Sequence, residues 1–129
     1  MKKYLFILLF TIAGATLFAQ DPKTILGPHS GKAKQAGNYN IETLDSPGNI
    51  YAFLLNYDLK PMSNKNITGQ ITLYFENDES IDYPLKPHGT DGFFAECPNG
   101  FYSCKVTFNI ANKKVSALFN NDTEIVEKK

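Results

Sequence analysis

The sequence predicts an all-β fold, an immunoglobulin-like antiparallel β-sandwich of about seven strands, and three observations carry that expectation. Apolar and aromatic residues alternate with polar ones in short runs, as they do on strands with one buried face. Clusters of Asn, Asp, Gly and Pro separate those runs at intervals of about eight to twelve residues, as turns would. No stretch has the i, i+3, i+4 spacing of an amphipathic helix. A small β-barrel fits the same pattern and is the alternative architecture.

The chain of 129 residues opens with Lys2 and Lys3, an apolar run over residues 4–13, and small residues up to Ala19. That order is the charged, apolar and cleavage regions of a secretory signal peptide, so residues 1–19 are expected to be removed. The run is too short for a comfortable membrane span, and no later segment approaches ~20 apolar residues, so no transmembrane segment is expected in the mature chain. No cysteine stands near the cleavage site to carry a lipid anchor, which points to the periplasm or secretion.

Residues 20–37 are small, polar or turn-forming and read as an irregular lead-in. A single sandwich domain is expected over residues 38–120. Its first strand covers 38–44 and ends at the turn Asp45-Ser46-Pro47-Gly48. Residues 49–57 are apolar at nearly every position, as a strand buried on both faces would be. A connection over 58–66 leads to 67–75, where Ile71, Leu73 and Phe75 face one way and Thr72 and Tyr74 the other. Residues 80–85 repeat the alternation, and Pro84 assigns them to an edge. After a loop over 86–92, residues 93–97 and 102–111 are expected to pair as a hairpin around Asn99-Gly100. A second tight turn leads into 115–119, with Val106 and Phe108 expected in the core and Thr107 facing outward. Residues 121–129 are polar and charged and read as a flexible tail.

On the expected hairpin, Cys97 and Cys104 share the core face as diagonal neighbours, and a shift of two residues in register would set them opposite one another. In an exported chain with two cysteines, a hairpin disulfide is the expected outcome, and a pair of buried thiols the alternative. The pair lacks the helix N-terminus that would activate a redox thiolate.

Charge and motifs exclude several functions. Every basic side chain is lysine, 13 in all, and after loss of the signal segment 11 lysines face 13 carboxylates. With no basic surface and no guanidinium fork, nucleic acid is not an expected partner. No nucleophile elbow, zinc-protease, phosphate-loop or dinucleotide motif is present, so no enzyme is expected. Glu76, Asp78, Glu79 and Asp82 cluster without the spacing and glycine of a calcium loop. The two histidines, His29 and His88, remain as the imidazoles available for chemistry. If successive strands run antiparallel, the segments bearing His29, Met62 and His88 meet at one end of the sandwich, with Asp58 and Asp91. Such a set suits Cu or Zn, with His29 and His88 as ligands and Met62 or Asp91 as helpers.

Gly27-Pro28-His29-Ser30-Gly31, followed by Tyr39-Asn40-Ile41-Glu42, resembles the start of small exported bacterial β-domains found alone or with heavy-metal efflux adaptor proteins. Those begin with Pro-His-Gly-Gly and then a Tyr-x-Ile-Glu or Tyr-x-Val-Glu strand. The similarity runs on through Tyr57-Asp58-Leu59-Lys60-Pro61, the alternating strand after Gly69, and Pro84-Leu85 before Gly89. Ser30 departs from it by standing where the motif has glycine. The resemblance implies a non-catalytic periplasmic domain associated with copper or another heavy-metal cation, partnered by a cell-envelope or efflux protein. A ligand-free protein-interaction or structural envelope module, using an edge strand or Tyr51, Tyr57 and Tyr74, is the alternative function.

Overall fold

The structure is a computed structural model that describes residues 23–121, so the segment expected to be a signal peptide and nearly all of the expected tail lie outside the described residues. Ten strands form two antiparallel sheets. They are β1 (Ile25–Leu26), β2 (Lys32–Ala36), β3 (Tyr39–Ser46), β4 (Asn49–Leu55), β5 (Ile67–Tyr74), β6 (Ser80–Pro84), β7 (Lys86–His88), β8 (Gly92–Glu96), β9 (Ser103–Ile110) and β10 (Lys113–Asn120). One sheet has the order β1-β2-β3-β4-β8-β7 and the other β10-β9-β5-β6, and among the described residues neither closes into a barrel. Among the described residues, no helix is long and apolar enough to cross a membrane.

Local chemistry sets two of the three two-residue hairpins. Between β3 and β4, Pro47 supplies a fixed negative φ and Gly48 a φ of 79°, the pairing of a type II turn. Between β9 and β10, Ala111 and Asn112 both adopt positive φ (50° and 68°), as a two-residue type I′ turn requires. The inward residues of both sheets form the main core, including Ile50, Ala52 and Leu54 of β4, Ile71 and Leu73 of β5, and Val106 and Phe108 of β9. Phe93 and Phe108 meet across the sheets with ring centroids 5.0 Å apart. Each is almost wholly buried, worth roughly 1.5–3 kcal/mol of hydrophobic stabilisation.

Strand β4 is buried on both faces as its composition predicts. Its other side, Phe53 and Leu55, joins Ala33 in a second apolar cluster on the outer face of the six-stranded sheet, flanked by Ile25, Leu44, Tyr51 and Leu59. The two open sides of the sandwich are closed differently. On one, the chain passes from β6 in one sheet to β7 in the other, with Leu85 buried at the crossing and its N–H donated to the Gly69 carbonyl (3.0 Å). On the other, Lys34 Nζ donates to the Leu118 carbonyl (2.6 Å) and Lys32 Nζ to those of Asn120 and Asn121 (3.0 and 3.2 Å). These lysines occupy carbonyls along the edge strand β10 that would otherwise be open to a further strand.

Three sequence expectations are corrected. The lead-in is not irregular, because β1 and β2 form a hairpin within it and β2 pairs along β3. The loop over 86–92 contains β7, which pairs with β8. The hairpin expected around Asn99-Gly100 does not form, because β8 is filled on both edges by β4 and β7 while β9 is filled by β5 and β10. The 97–102 segment instead crosses between sheets, and Phe101 is buried in the main core. Cys104 therefore lies in β9 while Cys97 stands just past the end of β8 in the other sheet, and both are free buried thiols, so the hairpin geometry argued for a disulfide is absent. Burial pushes the Cys104 thiol up to about 12, with the nearby Asp45 and Cys97 adding to the shift and Lys32 opposing it. Cys97 is raised by burial and then by Asp45.

Candidate functional site: a histidine clasped by a buried glutamate

Cross-strand register aligns Ala33, Glu42, Phe53, Gly92 and His88 in one row across five strands, on the outer face of the six-stranded sheet. A carboxylate in an apolar row would be costly if left unpaired. Glu42 is nevertheless 0% exposed, because the loop between β1 and β2 folds over it. The Ser30 N–H donates to the Gly27 carbonyl (3.0 Å) and the Gly27 N–H to the Gly31 carbonyl (2.9 Å), which closes the loop. Its inward N–H groups are then met by Glu42 Oε2, which accepts from His29 N (2.8 Å) and Gly31 N (2.9 Å). Glu42 Oε1 lies 2.7 Å from His29 Nδ1. One carboxylate thus holds both the loop backbone and the imidazole.

The glycines on either side leave space for this grip. A Cβ on Gly27 would collide with the Glu42 carboxylate, and one on Gly31 with the Thr43 carbonyl. The imidazole lies flat on the Phe53 ring, with centroids 3.7 Å apart and planes 10° from parallel. Gly92 in turn makes room for Phe53, since a Cβ there would stand 2.8 Å from that ring.

The far nitrogen, His29 Nε2, is 3.7 Å from Asp91 Oδ2. The His29 side chain is 27% exposed and that of Asp91 40%, so this end of the ring opens to solvent. Asp91 is positioned by Asn64, whose Nδ2 donates to the carbonyls of Gly89 (3.0 Å) and Gly92 (2.9 Å) and whose N–H donates to that of Thr90 (2.9 Å). Positive φ at Gly89 (66°) completes the turn.

Of the residues picked out from sequence, His29 and Asp91 come together. His88 lies on the same sheet face but is exposed at the edge, with its ring 5.2 Å from Tyr51 and 5.7 Å from Phe94, in an aromatic group of its own. Met62 packs against the main core, on the other side of the sheet from His29, and its N–H donates to the Leu54 carbonyl (3.0 Å). Asp58 is exposed, its N–H bonded to Asn56 Oδ1 (2.9 Å). Among the described residues, no three His, Cys, Asp or Glu side chains are gathered so as to hold a metal ion. What the arrangement offers is an open pair of donors, one imidazole nitrogen and one carboxylate.

Glu42 and Phe53 are the site residues that sequence reasoning did not select. The available signal was a charged residue on the face of β3 that the doubly buried strand β4 extends. Fold and site together define a two-sheet antiparallel β-sandwich that carries a carboxylate-held histidine on an outer face. No family model, curated protein or solved structure matches the chain.

Proposed function

We propose that the protein is a non-enzymatic, exported β-sandwich that binds one borderline divalent cation, Cu²⁺ or Zn²⁺, through His29 Nε2 and the Asp91 carboxylate. The observation that carries this reading is the setting of His29: one ring nitrogen held by a buried carboxylate and the other directed outward beside a second carboxylate. Metal-binding histidines usually engage their second nitrogen in this way, because the outer partner fixes the ring and raises its basicity as a ligand. An imidazole with a carboxylate suits Cu²⁺ or Zn²⁺ better than Cu⁺, which prefers thiolate and thioether ligands. Two protein donors leave coordination positions for water or for a ligand from a second molecule, which fits service to an efflux or envelope assembly rather than permanent storage. His88 stands on the same face as an auxiliary donor, whereas Met62, packed on the core, has no part in the reading.

Titration of Zn²⁺ into the chain from residue 20 onward tests the proposal. One saturable site is expected, weakened more than tenfold by His29→Ala and fading on acidification, because protonated imidazole cannot ligate. Equal binding by the wild type and the His29→Ala variant overturns it. The second reading, a ligand-free interaction or structural envelope module, draws on Tyr57, which is 66% exposed. It predicts no saturable metal site and retention of a protein partner that Tyr57→Ser releases.

A further inference from the structure

We infer that Glu42 is the positioning residue of this site: its carboxylate holds His29 in the tautomer protonated on Nδ1, leaving the Nε2 lone pair open beside Asp91. The inference rests on the proposed cation site for its consequence, but not for its chemistry. Two of the three groups bonded to Glu42 are backbone N–H groups, which can only donate, so Oε2 must accept both. The third contact, Oε1 to Nδ1 at 2.7 Å, has the length of a charge-assisted N–H···O⁻ bond. With Glu42 fully enclosed, Nδ1–H completes the set of donors to the carboxylate.

The stack on Phe53 keeps the ring in this plane. A half-turn about the Cβ–Cγ bond would set Cδ2–H against the carboxylate and lose the bond, so Nε2 faces outward. At 3.7 Å from Asp91 Oδ2, that nitrogen is beyond hydrogen-bond length and is not committed to the carboxylate as a donor. Neutral imidazole in water favours the opposite tautomer, with the proton on Nε2, which could not accept a cation. Glu42 reverses that preference.

The decisive variant is Glu42→Gln, nearly the same in shape. The backbone N–H groups of His29 and Gly31 still need an acceptor, so the amide oxygen must take the place of Oε2. The amide NH₂ then faces Nδ1, which must accept, and the ring proton moves to Nε2. Long-range ¹H–¹⁵N spectra of the imidazoles at neutral pH read the tautomer directly. The wild-type protein is expected to show His29 protonated on Nδ1 alone, and the Glu42→Gln variant to show it protonated on Nε2, with the exposed His88 ring unchanged in both. Zn²⁺ affinity should fall about 10–100-fold in the variant, the usual cost of losing such a partner.

A purely structural role for Glu42 would lower the thermal midpoint of the variant without inverting the tautomer, and that outcome overturns the inference. A proton on Nε2 in the wild type, in the neutral ring or in an imidazolium, overturns it alone and decides the matter if the variant fails to fold. Inversion of the tautomer with no Zn²⁺ binding by the wild type supports the role of Glu42 and refutes the proposed cation site instead.

Discussion

Ser30 adopts a φ of 68° in the loop that carries His29, a left-handed conformation that costs a residue with a Cβ roughly 1–2 kcal/mol. Ser30→Gly removes that cost and should raise stability by about 1 kcal/mol, read as a higher midpoint in thermal or urea unfolding, while His29 and Glu42 keep their contact; a lower midpoint would show that the Ser30 side chain supports the loop. The thiols give a second prediction at this scale. In the unfolded chain Cys104 titrates at an ordinary value of 9.0, and in the folded protein at about 12. The denatured state therefore loses its proton first, so this contribution to stability is complete below pH 9, declines as pH rises and is gone above about pH 12. Denaturation midpoints of the wild type should fall over that range relative to a Cys97→Ala, Cys104→Ala variant. Parallel curves, or thiols oxidised to a bridge in the native protein, would contradict it. Single residues are unevenly legible in sequence: the glycines around His29 announce a turn, His29 stands out by residue type, and strand counting brings Asp91 to the same end. The burial of Glu42 was not legible, because it depends on a loop 11 to 13 residues away folding back over the strand.

At the scale of the elements, period-two alternation gives the core faces of β5, β9 and β10 correctly, since Ile71 and Leu73, Val106 and Phe108, and Val115, Ala117 and Phe119 all lie in the main core. The sequence points to a β8–β9 pair because Asn99-Gly100 is a local turn signal, whereas strand partners are chosen by the faces that need burial. Phe93 and Phe108 are both buried in the observed fold by packing against each other across the two sheets. Strand β2 is not legible for a related reason: in Lys-Ala-Lys-Gln-Ala the buried residues are alanines, too small and too weak in β-propensity to mark a strand. The face assignment on β9 has a direct check. Val106→Asp and Phe108→Asp each place an unpaired carboxylate at a position with 0% exposure and should abolish cooperative unfolding. Thr107→Asp, on the outer face between Gln70 and Ser116, should fold with a modest loss of stability. Equal damage from all three would mean that the outer face of the four-stranded sheet is covered as well.

Across the whole molecule, the Glu42 grip fastens the loop between β1 and β2 onto the outer face of the six-stranded sheet, beside the small apolar layer outside the main core. The same fastening sets an imidazole and a carboxylate at the edge of that layer, where solvent reaches them. Strand counting brought His29, Met62 and His88 to one end of the sandwich, but it could not separate the inner face of a sheet from its outer face. Met62 went to the first, and the two histidines to different parts of the second. The central claim is that His29 Nε2 is the nitrogen that takes up a cation. Pulsed electron paramagnetic resonance of the protein loaded with one equivalent of Cu²⁺ tests it most directly, because a coordinated imidazole imprints the modulation of its remote nitrogen on the copper signal. That modulation should be present in the wild type and in a His88→Ala variant, and absent in a His29→Ala variant. A wild-type spectrum of hydrated copper, or one that His29→Ala leaves unchanged, would contradict the claim.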